Sequence, residues 1–438
     1  MSRTIRVEHL GRVEGHGGIT VELDGDALQA VRFDVFEGLR LLEGLIRGRS
    51  HEDVAPIVSR ICAICSVAHA LTSIQATEAA FGIVPSPQTA RLRDLLFRGE
   101  NLASHALHLF LLAAPDYLGY PSAPAMAADH AEAVALGLRL KQLGNRIQET
   151  LGGRAIHPVA AVVGGFARLP SAADLAGLET ALDRARADAA AAVAFVKTLP
   201  AADFGGGETA FAALEPAAGY GYLGGDQVVF LSGGERRRVP AAELPSAVAE
   251  RAVAHSHAKH AAFGGRPFMV GALARLTLFG ERLGPAARAA ADELGLDLPS
   301  ANPMDNNAAQ AVELVEDVEA ALSAVRGLLA EGLALERPAP VVPRSGTGTA
   351  VTEAPRGLLL HRYTYDAGGR ITAAEVLTPT ALNAASVEER FRGVVERDPA
   401  AGDAALTLRL EMVARAYDPC ISCSVHLVRR RGGAGASG

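Results

Sequence analysis

The chain has 438 residues, 49% of them hydrophobic, with no tryptophan and a net charge of -7. That is enough apolar material for one large domain or two to three smaller ones, and the negative balance excludes nucleic acid as the main partner, which needs clustered positive charge. No apolar run is long enough to span a bilayer, and Met1–Glu8 has neither a signal-peptide core nor a twin-arginine pair, so a cytoplasmic location is expected.

Residues 4–36 alternate apolar and polar around Asp24-Gly25-Asp26, which predicts a small antiparallel meander. Leu39–Arg47 has helical spacing. Ser66–Phe81 is an alanine-rich helix ended by Gly82 and Pro85. Thr89–Ala114 and Ala127–Leu151 read as long amphipathic helices, the second stopping at Gly152-Gly153, and Ala172–Thr198 as a third. The glycine-rich stretch 201–244 predicts a hairpin insertion around Val228–Leu231 and Gly233-Gly234. Helical patterns return near Pro245–Ala262, Pro285–Leu294 and Asn307–Glu331. Pro338–Pro343 is a connector to a strand pair, Gly357–Tyr365 and Ile371–Leu377, and two more helices lead to Asp418. The expected fold is α+β and predominantly α-helical. It has a long helix-bundle core, small antiparallel sheets near the N-terminus and in the C-terminal third, and a single domain over 1–426.

Only four cysteines occur, and they form two C-x-x-C pairs: Cys62 and Cys65, then Cys420 and Cys423. Four thiolates select soft or borderline metals, and a closed zinc site is the competing reading. Three features count against it. Cys65 and Cys420 stand 355 positions apart, whereas structural zinc sites staple short segments. A core this large needs no staple. Each pair also has titratable company, Arg60 and His69 around the first, Asp418 and His426 around the second, as a reactive site requires.

Arg60-x-Cys62-x-x-Cys65 and Asp418-Pro419-Cys420-x-x-Cys423-x-x-His426 resemble the two signature motifs of nickel-iron hydrogenase large subunits. The resemblance covers nearly the whole chain. It extends to Gly11-Arg12-Val13-Glu14-Gly15-His16, to Glu43 in Leu42–Arg49, and to Glu353-Ala354-Pro355-Arg356-Gly357. Gly152–Pro158 and Asn302-Pro303 look most like the soluble, NAD(P)-linked branch. Ala63 stands where many relatives have glycine.

The resemblance implies that Cys62 and Cys420 are terminal nickel ligands, and that Cys65 and Cys423 bridge nickel to an iron carrying carbon monoxide and cyanide. Glu14 would take a proton from a cysteine thiol. Arg356 would sit over the open metal position, held by Asp116 and Asp418. His69 would hydrogen-bond a bridging thiolate. Glu43 and His426 would bind a magnesium ion or second iron. The implied activity is reversible oxidation of dihydrogen. A metal-free quinone-reductase-type relative and a zinc-stabilised scaffold protein are the alternatives.

Every cysteine is committed, so no thiolate remains for an iron-sulfur cluster. A cluster-bearing small subunit is therefore expected as partner, with flavin-containing NAD(P) diaphorase subunits behind it. The tail 427–438, with Arg429-Arg430-Arg431 ahead of a linker-like end, is expected to be removed by a maturation protease after His426. Gly219-Tyr220-Gly221-Tyr222-Leu223-Gly224 matches a dinucleotide-binding pattern in form but lacks its strand-helix setting and reads as loop. Arg236–Arg238 reads as a solvated hairpin edge. His255, His257 and His260 read as surface or partner contacts in a helical region, with no carboxylate to complete a metal site.

Overall fold

The computed structural model describes residues 2–37, 42–204 and 209–425. Four long helices, Pro87–Leu107, Ala131–Gly152, Ala172–Thr198 and Asp305–Glu331, pack as a bundle. The helix 87–107 opens on Ser86, whose hydroxyl accepts from Thr89 N, with Pro87 at the first helical position; helix 172–198 opens on a capping box of Ser171 and Asp174. Helices 87–107 and 131–152 can touch backbone to backbone because Gly99 faces Gly144. A Cβ on Gly144 would lie 2.4 Å from the Gly99 carbonyl. Among the described residues, no helix is long and apolar enough to cross a membrane.

The expected meander is a three-stranded antiparallel sheet of Ser2–Val7, Gly17–Asp24 and Ala27–Val35, with Ile19, Val21 and Leu23 buried. The C-terminal sheet has one strand more than expected: Gly346–Ala354 pairs with Gly357–Tyr365, which pairs with Ile371–Leu377. Helix Ser66–Phe81 lies across that sheet. The motif Pro355-Arg356 thereby forms the tight turn between two strands. The insertion is also three-stranded, Phe211–Leu214, Gln227–Ser232 and Glu235–Pro240.

Several boundaries differ from expectation. Helix 87–107 continues as a wider π-type turn, His108–Ala113, then a short helix Ala114–Tyr117 that admits Pro115 at its start. Helix His51–Val58 is an addition to the expected elements. The helix from 39 is described only as Leu42–Ile46, its first residues lying outside the described ones. The expected helix Pro245–Ala262 is a β-hairpin, Val248–Val253 with Ser256–Phe263. Alanine favours helix locally, but Val248, Ala258 and Ala261 are buried in alternating-face strands, and such packing overrides propensity.

Candidate metal centre

Cys62 follows a one-turn helix, Ser59–Ile61, and Cys65 occupies the cap position of helix 66–81. His157, from the Gly152–Pro158 motif, braces this segment: its N donates to Ser66 Oγ at 3.0 Å, and its Nδ1 lies 2.9 Å from Ser59 O. At the other end of the sequence, Cys420 pairs with Glu14 in a short parallel bridge, and Cys423 sits in the turn Ile421–Ser424. Gly15 makes that approach possible. Its φ is +87°, and a Cβ there would lie 2.8 Å from both Ile421 Cβ and Ser422 N.

The four sulfurs converge. Sγ separations are 3.0 Å for Cys62–Cys420, 3.4 Å for Cys65–Cys423, 2.9 Å for Cys420–Cys423 and 3.9 Å for Cys65–Cys420. None is in a disulfide and all are buried. Thiolates around one ion at ~2.3 Å lie about 3.8 Å apart, so a small expansion would admit a metal. Electrostatics asks for one as well. Burial pushes the Cys420 and Cys423 thiols well up; Cys65, though drawn down by hydrogen bonds from Cys420 and Cys423, ends at about 11. Cys62 is lowered, chiefly by its hydrogen bond with Cys420. The protein alone stabilises one thiolate here, and a cation is what would let all four deprotonate.

Polar groups surround the sulfurs. Glu14 Oε2 accepts from Ser422 N at 3.0 Å and lies 3.3 Å from Cys420 Sγ. His69 Nε2 is 3.6 Å from Cys423 Sγ, while its Nδ1 meets His361 Nε2 at 3.0 Å, and His361 in turn meets Tyr363. Burial lowers the His69 pKa to about 4, so the ring is neutral near pH 7. Arg356 donates from Nη2 to Asp418 Oδ1 at 2.8 Å and from Nε to the Asp418 carbonyl at 2.6 Å. Asp418 itself adopts a φ of +48°, which turns both acceptors toward the guanidinium. A closed structural zinc site would need no carboxylate at one of its sulfurs.

One expected contact is corrected. Asp116 does not hold Arg356; it is clamped by Arg415, with Nε–Oδ2 at 2.5 Å, and by Arg12. The short helix 114–117 turns its carboxylate toward the Gly11 loop and helix Asp403–Ala416 instead. The second contact of Arg356 is Ser104 Oγ at 3.3 Å. Arg60 donates to the Pro56 carbonyl one turn back.

Ser104 belongs to a set that the sequence did not single out. Glu100, Asn101, Ser104 and His105 on helix 87–107, with His108 opening the π-type turn after it, form a stripe at helical spacing, and all are buried. Glu100 caps the helix behind Cys65 by accepting from Val67 N and Ala68 N, at 2.5 and 2.9 Å, and burial raises its pKa to about 8. His108 links Gln310 to the Arg415 carbonyl, and Gln310 Nε2 reaches Asp418 Oδ2 at 3.2 Å. The stripe's i, i+1, i+4, i+5, i+8 pattern was its available signal.

Glu43 stands apart from the sulfurs. It accepts from Val376 N at 3.0 Å, and burial raises its pKa. Lys259, Glu250 and Glu375 are its charged neighbours. Ala258, beside Lys259, bridges to Val425, so the described chain ends close to this group. His426 and the tail lie outside the described residues. The Gly219–Gly224 stretch is loop as expected, with Tyr220 and Tyr222 buried and Tyr220 hydrogen-bonded to Glu313. Arg236–Arg238 form an exposed edge strand.

The family described as nickel-dependent hydrogenase matches residues 40–142 and 236–426, and one described as HoxL-like matches residues 4–37. The alpha chain of sulfhydrogenase 1 from Pyrococcus furiosus is 37% identical over 432 residues, covering 97% of this chain and 98% of that protein. The alpha chain of sulfhydrogenase 2 from the same organism is 36% identical over 428 residues, with 97% and 99% covered. Among solved structures, an NAD+-reducing [NiFe]-hydrogenase in the H2-reduced state superposes with a TM-score of 0.88 at 27% identity, covering 97% of this chain and 99% of that one. The Ni-Fe-Se hydrogenase of D. vulgaris Hildenborough shares the fold, with a TM-score of 0.78 at 23% identity and 97% and 100% covered.

Proposed function

This chain belongs to the nickel-dependent hydrogenase family as its catalytic large chain, and we propose that Cys62, Cys65, Cys420 and Cys423 would together hold nickel and an iron carrying carbon monoxide and cyanide. The observation that carries this reading is the convergence of four buried thiols on one point, flanked by Glu14 on the Cys420 side and His69 on the Cys423 side. When bound, such a centre supplies the heterolytic cleavage of dihydrogen.

The chain's own residues then have distinct tasks. Glu14 accepts a proton at Cys420 Sγ and is the first station of its exit. Arg356 presents a fixed cation to the thiolates, and Asp418 fixes its plane by accepting two of its hydrogen bonds. His69, held neutral by burial, donates toward Cys423 from Nε2 and keeps its orientation through His361. Glu43, together with His426, binds a magnesium ion or second iron near the chain's end. A maturation protease cuts after His426 once nickel is loaded.

Electrons leave through a partner. All four cysteines of this chain are at the centre, so an iron-sulfur small subunit takes the electrons, and flavin-containing diaphorase subunits pass them to NAD(P) in the cytoplasm. The likeness to the NAD+-reducing enzyme supports this route. Hydrogen-dependent reduction of NAD+ or NADP+ by the purified complex tests it. The isolated chain should fail even with benzyl viologen, and full-rate viologen reduction by that chain would overturn the obligate partner.

A further inference from the structure

The hairpin that stands in place of the expected helix brings together groups the sequence keeps apart. His255 sits in its turn and His260 on its second strand, Ser256–Phe263. Both face Glu388, on helix Pro379–Arg397. His255 Nε2 donates to Glu388 Oε1 at 2.6 Å, and His260 Nε2 lies 3.6 Å from the same oxygen. The three ligand atoms all fall within 4.8 Å of one another. His257, between them, turns away and meets the Glu37 carbonyl.

The His260 ring is the informative member. It is 6% exposed, yet its Nε2 has no hydrogen-bond partner, since 3.6 Å is too long for one. A buried polar atom left this way loses its hydration with nothing in return, so a partner is expected at that nitrogen.

We propose that His255, His260 and Glu388 bind a borderline divalent cation of the zinc class, at a site distinct from the thiolate centre. Imidazole nitrogen and carboxylate oxygen take zinc at ~2.0–2.2 Å, which sets neighbouring donors about 3.3–3.6 Å apart. The His260–Glu388 pair already has that spacing. The His255–Glu388 contact must open by less than about 1 Å, exchanging a hydrogen bond for a coordinate bond. Phe33 N donates to the same Oε1 of Glu388 at 2.9 Å and so helps fix the carboxylate in place. Three protein ligands leave a fourth position for water. The donor set discriminates against magnesium, which prefers an all-oxygen shell.

The ion would tie three elements together: the hairpin 248–263, helix 379–397 and, through Phe33, the strand Ala27–Val35. The same hairpin bridges Val425 through Ala258. Zinc here would therefore stiffen the cover over the segment that carries Cys420 and Cys423. This does not depend on the identity of the metals held by the thiolates.

The test uses the purified complex, washed with chelator, incubated with zinc(II) and desalted, with zinc and nickel then counted per chain. One retained zinc per chain beyond the chelated baseline is expected. Zinc affinity should fall at least about tenfold in His260→Ala and in Glu388→Gln with nickel content unchanged. His255→Gln, a change at a turn residue, serves as the variant least able to disturb folding and should lose zinc in the same way. No retained zinc in wild type, or equal retention in His255→Gln and Glu388→Gln, would overturn the proposal.

Discussion

Arg356 and Asp418 meet twice, once through the carboxylate at 2.8 Å and once through the backbone carbonyl at 2.6 Å. Both side chains are buried, so the guanidinium has a single orientation relative to the sulfurs beside it. Lysine would keep the charge and lose the planar fork. Arg356→Lys should lower hydrogen oxidation by about 10²–10³-fold with nickel and iron retained, in line with the loss of one preorganised electrostatic contact. An activity within threefold of wild type would contradict that assignment.

Asp116 and Ser104 separate the observed wiring from the expected one. Asp116 neutralises Arg415 and Arg12 in a buried cluster. Asp116→Asn should cost about 3–5 kcal/mol of stability, because Arg12 loses its carboxylate and Arg415 keeps only Glu411. Its enzyme, where folded, should keep near-normal turnover per nickel. Ser104→Ala should cost less stability, about 1–3 kcal/mol from the buried Arg356 Nη1 left without its partner, and should slow turnover by less than about tenfold. Turnover per nickel and the denaturant midpoint, measured on both variants, check this.

Glu14→Gln retains the shape and the Ser422 N contact while removing the proton acceptor 3.3 Å from Cys420 Sγ. Turnover should fall by about 10²–10⁴-fold at full nickel content. Gly15→Ala should act differently. With φ at +87° and Ile421 in the way, the new methyl forces the Cys420–Cys423 segment outward, so nickel content itself should drop. Metal analysis of the two neighbours distinguishes chemistry from assembly.

Glu353 and Glu313 share Arg275 in the core. Burial raises Glu353 to about 7 from an ordinary 4.5, so the folded state holds its proton more tightly than the unfolded chain does. The stability linked to it is complete below pH 4.5 and is lost as pH rises through about 7. Glu313, held at about 2 by Arg275 against its own burial, behaves oppositely and loses its contribution only below pH 4.5. Glu353→Gln should flatten the fall in melting temperature between pH 5 and 8; an unchanged slope would show that another group titrates there.

Much of this is legible in the sequence because the informative residues are scarce or punctuated. Two C-x-x-C pairs in a chain with four cysteines, glycines that close helices, and an Asp-Gly turn each carry a local physical meaning. What fails to show are the features decided by packing. The stripe Glu100 to His108 does not stand out, because an amphipathic pattern does not say whether its polar side meets water or a buried site. The hairpin 248–263 reads as helix because alanine propensity carries no information about a partner strand. Asp116 pairs with a different arginine from the expected one because sequence order does not show which way a one-turn helix points.

The tail gives a covalent test. Val425, the last described residue, is buried and bridges Ala258, and Arg429-Arg430-Arg431 follow it in the sequence. Intact mass of active enzyme should correspond to a chain ending at His426. Active enzyme that still carries residues 427–438 would contradict cleavage and weaken His426 as an ion ligand.

Metal counting combined with infrared spectroscopy on the purified protein reaches the central claim most directly. The four thiolates should carry nickel and iron, with absorptions in the carbon monoxide and cyanide stretching region. Zinc alone at these cysteines, with no such absorptions, would contradict it.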